Sequence, residues 1–104
     1  MKKQVQRTMI METAFIDVTP GRESEFELAL ETARGIVSQA HGFQVMHVHR
    51  GIERASTFML AIGWDTLEDH MQGFRESQLF AQWRGVIGPF FANPPHVEHW
   101  TLFE

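Results

Sequence analysis

Phe43-Gln44-Val45-Met46-His47-Val48-His49-Arg50 and Ala55-Ser56-Thr57-Phe58-Met59-Leu60-Ala61-Ile62-Gly63-Trp64, joined by Gly51-Ile52-Glu53-Arg54, decide the fold class. Side chains on a strand point alternately to two faces. In the first stretch Phe43, Val45, His47 and His49 alternate with Gln44, Met46, Val48 and Arg50. In the second, Phe58, Leu60, Ile62 and Trp64 share one face, Thr57, Met59, Ala61 and Gly63 share the other, and no residue from Ala55 to Trp64 is charged. Two strands with so short a link form a hairpin. A strand without a polar face needs cover on both sides.

Upstream, Met9 to Val18 is apolar and rich in β-formers, and Thr19-Pro20-Gly21 stops it with residues suited to a turn and a helix entry. From about Pro20 to Ala40, Phe26, Ala29, Leu30, Ala33, Ile36, Val37 and Ala40 recur at the three-and-four spacing of an amphipathic helix. Glu23 and Glu25 fall in its first turns, where the dipole favours acids, and Gly42 follows as the left-handed residue after the helix. Downstream, Asp65 suits an N-cap with Glu68 three places on, and the pattern stays helical to about Ile87 with a break near Gly73 to Ser77. Gly88-Pro89 and Pro94-Pro95 close this region, and His96 to Phe103 reads as a last strand. The order βαββαβ predicts a ferredoxin-like α+β fold: a four-stranded antiparallel sheet with helices on one face. Helices from one chain cover only that face, so the Thr57, Met59 and Ala61 face is expected to meet a second copy, making a homodimer.

The 104 residues, 43% hydrophobic and 21% charged, suit one globular domain. We expect a flexible segment over 1–8 and a single domain over 9–104. Nine Lys and Arg against thirteen Asp and Glu give a net charge of −4, and the cations are scattered, which speaks against nucleic acid as a partner. The absence of cysteine removes disulfides, thiolate zinc sites and thiol nucleophiles. Met9-Ile10-Met11 is cut short by Glu12, too soon for a signal-peptide core, and no run reaches the roughly 20 apolar residues of a membrane span. The expected setting is cytoplasmic, with no membrane partner.

Six histidines invite a metal reading, and His47 and His49 point the same way. No HExxH or comparable ligand motif accompanies them, so no metal is expected and they read as ordinary half-buried or interface residues. The glycines show neither GxSxG, GxGxxG nor GxxxxGK[ST], and there is no tyrosine. Acid–base work is left to histidine, carboxylates and arginine. Trp64 ends a buried strand, His70 sits in the first helical turns, and Phe74, Phe80, Trp83 and Ile87 form an aromatic-rich face toward the sheet, which is either plain core or a pocket for a flat ligand with His70 and Arg84 as its polar contacts.

From Met9 to Phe103 the chain resembles the antibiotic biosynthesis monooxygenase family. The likeness runs through Val18-Pro20-Gly21 after strand one, Gly42-Phe43 at the hairpin entry, Trp64-Asp65-Thr66-Leu67-Glu68-Asp69-His70, and Pro94-Pro95-His96-Val97-Glu98-His99. It implies dimeric α+β barrels with a pocket in each chain. Some members oxidise anthrones or hydroquinones with O2 and no cofactor; others degrade haem or process small signalling molecules. In anthrone-oxidising members an Asn stands four residues before the strand-three Trp, a Tyr six after it and an Arg twenty after it. Here those positions are Leu60, Trp64, His70 and Arg84. Trp and Arg match, Tyr is replaced by His, and Asn by Leu. The positions matching the haem degraders' first-strand Asn and proximal His fall at Ala14 and near Trp83 or Arg84, so haem would lack its axial ligand.

The expected activity is therefore cofactor-independent monooxygenation of an electron-rich aromatic. His70 would be the base, Arg84 would stabilise the oxyanion and Trp64 would stack on the ring, with Leu60, Phe74, Phe80 and Trp83 binding the substrate. The alternative is a small-molecule binder or stress-associated protein of the same fold without turnover, which could tolerate Leu60 where a catalyst has Asn.

Overall fold

The computed structural model describes residues 9–104, and the expected flexible segment 1–8 lies outside the described residues. Strands β1 (Ile10–Asp17), β2 (Phe43–Arg50), β3 (Thr57–Trp64) and β4 (His96–Thr101) form one antiparallel sheet in the order β2-β3-β1-β4. Helix α1 (Glu23–Val37) follows β1, and a π-helical turn (Asp69–Phe74), helix α2 (Gln78–Ile87) and a 3₁₀ turn (Gly88–Phe90) lie between β3 and β4. This is the ferredoxin-like α+β fold expected from the sequence. Phe58, Leu60, Ile62 and Trp64 are each at most 1% exposed and meet Phe26, Leu30, Ala33 and Val37 of α1 and Trp83 and Ile87 of α2 in one core.

Three local readings need correction. The register between β2 and β3 is shifted between Phe43 and Val45, so that Phe43 reaches the core edge-on to Trp64 while Val45 lies against Gly63 on the outer face. Strict alternation placed Phe43 and Val45 together; one extra residue in a bulge separates them. The cap after β3 is also different: the Thr66 hydroxyl accepts the Asp69 N–H at 3.1 Å, while Asp65 accepts from the Gln44 amide. Finally, β4 ends at Thr101, leaving Leu102 and Phe103 exposed.

The expected break in the second helical region is real, and its form matters for the site. The Arg75 N–H donates to the His70 carbonyl at 3.0 Å, five residues back, and α2 begins only at Gln78. This wider turn buries both His70 and Phe74. Gly42 anchors its start: φ is +84°, its carbonyl accepts the Asp65 N–H at 2.7 Å, and a Cβ there would run into the Asp69 carboxylate. Opposite, the loop before β4 is tied to β1, with Ala92 N–H donating to the Asp17 carbonyl at 2.7 Å and Thr19 N–H to that of Phe90 at 2.9 Å.

Candidate functional site

A cavity of about 290 Å³ opens between the inner face of β1 and β4 and the helices. Ala14, Ile16, Phe80, Trp83, Ile87, Phe91, Pro95 and Val97 give it apolar walls, and Glu12, His70, Arg75 and Arg84 are its charged or titratable groups. Few polar groups in a mostly apolar concavity is the usual make-up of a small-molecule site.

The polar end is built by sheet register. Glu12 points inward on β1, in phase with Ala14 and Ile16, and pairs across the sheet with His99 of β4. The Glu12 Oε1 accepts the Trp64 indole N–H at 2.9 Å and lies 3.2 Å from His70 Nε2. His70 Nδ1 in turn is 2.8 Å from His99 Nε2. One proton is shared between His70 Nδ1 and His99 Nε2, either ring donating according to its tautomer, and with that proton on His99 the His70 Nε2–H faces the Glu12 carboxylate. Four side chains from β1, β3, the π turn and β4 thus form one polar cluster, in which the Trp64–Glu12 and His70–His99 hydrogen bonds are joined by the 3.2 Å Glu12–His70 contact.

Burial governs the charges in this cluster. Glu12 is 6% exposed, and desolvation pushes its carboxyl up to about 7, against the opposing pull of the Trp64 hydrogen bond and the Arg75 guanidinium. His70, at 3% exposure, is lowered to about 4 by desolvation first and then by the charges of His99 and Arg75. His99 is lowered for the same leading reason. Near neutrality the imidazole of His70 is uncharged and Glu12 is the group poised to gain or lose a proton.

Of the residues singled out in the sequence, His70, Phe80, Trp83 and Arg84 line the cavity. Trp64, Leu60 and Phe74 lie behind it in the core. The ring of Trp64 is stacked on His70 at 5.2 Å between centroids, and Phe74 and Phe43 pack at 5.5 and 6.1 Å. Its indole is therefore a hydrogen-bond donor to Glu12 and a wall for His70. Glu12, His99 and Arg75 were missed. The available signal was Glu12 itself, an acid in phase with Ala14, Ile16 and Val18 on a strand whose inner face is otherwise apolar. Among the described residues no three His, Cys, Asp or Glu come together as a metal-binding group, and His47 and His49 are exposed on the outer face. Nor is any helix of the described residues long and apolar enough to cross a membrane.

A ferredoxin-like sheet with a mostly apolar cavity under its helices defines the class. The chain belongs to the antibiotic biosynthesis monooxygenase family, whose sequence model matches residues 9–86. It is 34% identical over 91 residues to the uncharacterized protein YczJ of Bacillus subtilis (strain 168), covering 88% of this chain and 96% of that one. A Bordetella bronchiseptica structure, named as a candidate antibiotic biosynthesis monooxygenase, superposes with a TM-score of 0.87 at 41% identity, covering 89% of this chain and 95% of that one. The monooxygenase from the ActVA-Orf6 gene of Streptomyces coelicolor, solved with nanaomycin D, superposes at 0.78 with 17% identity, covering 94% and 90%. At that identity the likeness speaks for the fold alone.

Proposed function

We propose that the protein is a cofactor-independent monooxygenase that oxidises an electron-rich aromatic of hydroquinone or anthrone type with O2. The observation that carries this reading is the Glu12–His70 contact at the head of an apolar cavity. A buried carboxyl near pKa 7 is matched to taking a phenolic or benzylic proton at neutral pH. Sequence alone pointed to His70 as the base. With both ring nitrogens engaged and its basicity lowered to about 4, His70 serves better by orienting Glu12, and the carboxylate takes the proton. Arg84, beside Arg75 on the cavity wall, stabilises the anion so formed. That anion passes one electron to O2, the radical pair joins as a peroxide, and the peroxide collapses to a carbonyl and water. One oxygen atom ends in the product and the other in water, and the substrate supplies both hydrogens.

The family and the sheet face that no helix of the described residues covers support a homodimer as the working form. Met59 and Ala61 lie on that face with Phe15 and Trp100, of which Trp100 is 51% exposed.

The test is O2 uptake by metal-free protein with a panel of hydroquinones and anthrones, comparing wild type with Glu12→Gln and His70→Ala. Uptake should rise with pH through about 7 and fall by about 10²–10⁴ in Glu12→Gln, the size of a general-base contribution. Ligand binding without O2 uptake across the panel would instead favour a binding protein, and full activity in Glu12→Gln would remove Glu12 from the mechanism.

A further inference from the structure

Arg75 and Arg84 both line the cavity, and both guanidiniums lie over the same ring, their Cζ atoms 5.6 and 5.8 Å from the centroid of Phe80. Among the described residues neither makes an ion pair or a hydrogen bond with another side chain or the backbone. Arg22 and Arg50, by contrast, hold Glu25 and Glu27, and Arg34 donates to the Met46 carbonyl. Two like charges facing one hollow without a carboxylate between them is an unusual arrangement for a chain of net charge −4. Glu12 is the one carboxylate among the described residues lining the cavity, and it is engaged with Trp64 and His70.

Contact with the Phe80 face leaves the in-plane N–H groups of a guanidinium free, and that edge is the one that matches a carboxylate bidentately. We propose that the ligand is an aromatic acid, its ring in the apolar part of the cavity beside Phe80, its carboxylate held by Arg75 and Arg84, and its reactive hydroxyl toward Glu12 and His70. This rests on the oxygenase reading only for the role of the hydroxyl. A hydroxyl ortho to the carboxylate puts both groups at the polar end of the cavity, where Arg75 already acts on Glu12, His70 and His99 through its charge. A cavity of about 290 Å³ is at the small end for ligand sites, which suits a ligand of few rings.

Calorimetric titration at low salt with 1-hydroxy-2-naphthoate, its neutral amide and 1-naphthol tests this. The acid should bind at least about tenfold more tightly than the amide, a difference of about 1.4 kcal/mol. That preference should shrink as salt is raised and fall within about threefold in Arg75→Gln and in Arg84→Gln. Both arginines are exposed, so circular dichroism should show both variants folded. Equal binding of acid and amide, no binding of the acid, or a preference that survives both substitutions would overturn the proposal. O2 uptake is measured on the same acid in parallel. Selective binding with no uptake on this acid or on any member of the hydroquinone and anthrone panel keeps the acid subsite and overturns the oxygenase reading. Uptake on neutral hydroquinones without selectivity for the acid overturns the subsite alone.

Discussion

Glu12, the base of the proposed reaction, is also a residue whose burial costs stability. Its folded pKa of about 7 lies above the ordinary carboxyl value of 4.5, so the folded state binds its proton more tightly than the unfolded one. Stability is therefore lost as pH rises from about 4.5 to about 7, by about 3 kcal/mol in all. Glu12→Gln carries no such penalty. In urea denaturation the variant should gain on wild type by about 2–3 kcal/mol between pH 5 and pH 8, and a gap that stays constant would show that Glu12 is not desolvated. The Trp64 indole N–H works in the opposite direction, holding the carboxyl below where burial alone would put it. Trp64→Phe removes that donor but keeps an aromatic ring against His70. The carboxyl titration of Glu12, followed by infrared or carbon NMR, should move upward from about 7; a downward shift or none would deny the hydrogen bond its role.

At the scale of elements, the π turn from Asp69 to Phe74 turns a helical repeat into a site. Its wider spacing buries His70 with Phe74 and directs the imidazole at β1 and β4. Such turns are rare and recur at functional sites. The π turn depends on Gly42, whose positive φ and closeness to Asp69 leave no room for a side chain. Gly42→Ala should lower stability by about 1–3 kcal/mol, as a strained backbone does. It should also loosen the Glu12–His70 contact, visible as a Glu12 titration closer to an ordinary carboxyl. An unchanged melting temperature would show that the turn tolerates a Cβ.

For the whole molecule, the decisive asymmetry is between the two faces of the sheet. The helices close one face into core and cavity, while the other carries Met59, Ala61, Phe15 and Trp100 with no helix over it among the described residues. In a homodimer that face is buried, so a charge at Met59 would be left without a partner. Met59→Glu should weaken association by at least about tenfold in analytical ultracentrifugation. A wild-type protein that sediments as a 12.0 kDa monomer at micromolar concentration would overturn the dimer.

The order of the elements and the fold class were legible in the chain alone, whereas the bulge at Gln44 and the end of β4 were not. The alternation from Thr57 to Trp64, the three-and-four spacing of α1 and the glycines and prolines between elements are local patterns, and each was read within one window of chain. The sequence also brought His70, Phe80, Trp83 and Arg84 forward as pocket residues. Which groups meet is set by packing between elements. Glu12 becomes a base candidate because the β1–β4 register sets it opposite His99 and the π turn brings His70 onto it. Trp64 serves Glu12 from within the core because His70, Phe74 and Phe43 pack around its ring. Periodicity fixes the face a side chain takes, whereas its partners come from elements distant in the chain, and the desolvation that sets the charge of Glu12 exists only once those elements have packed.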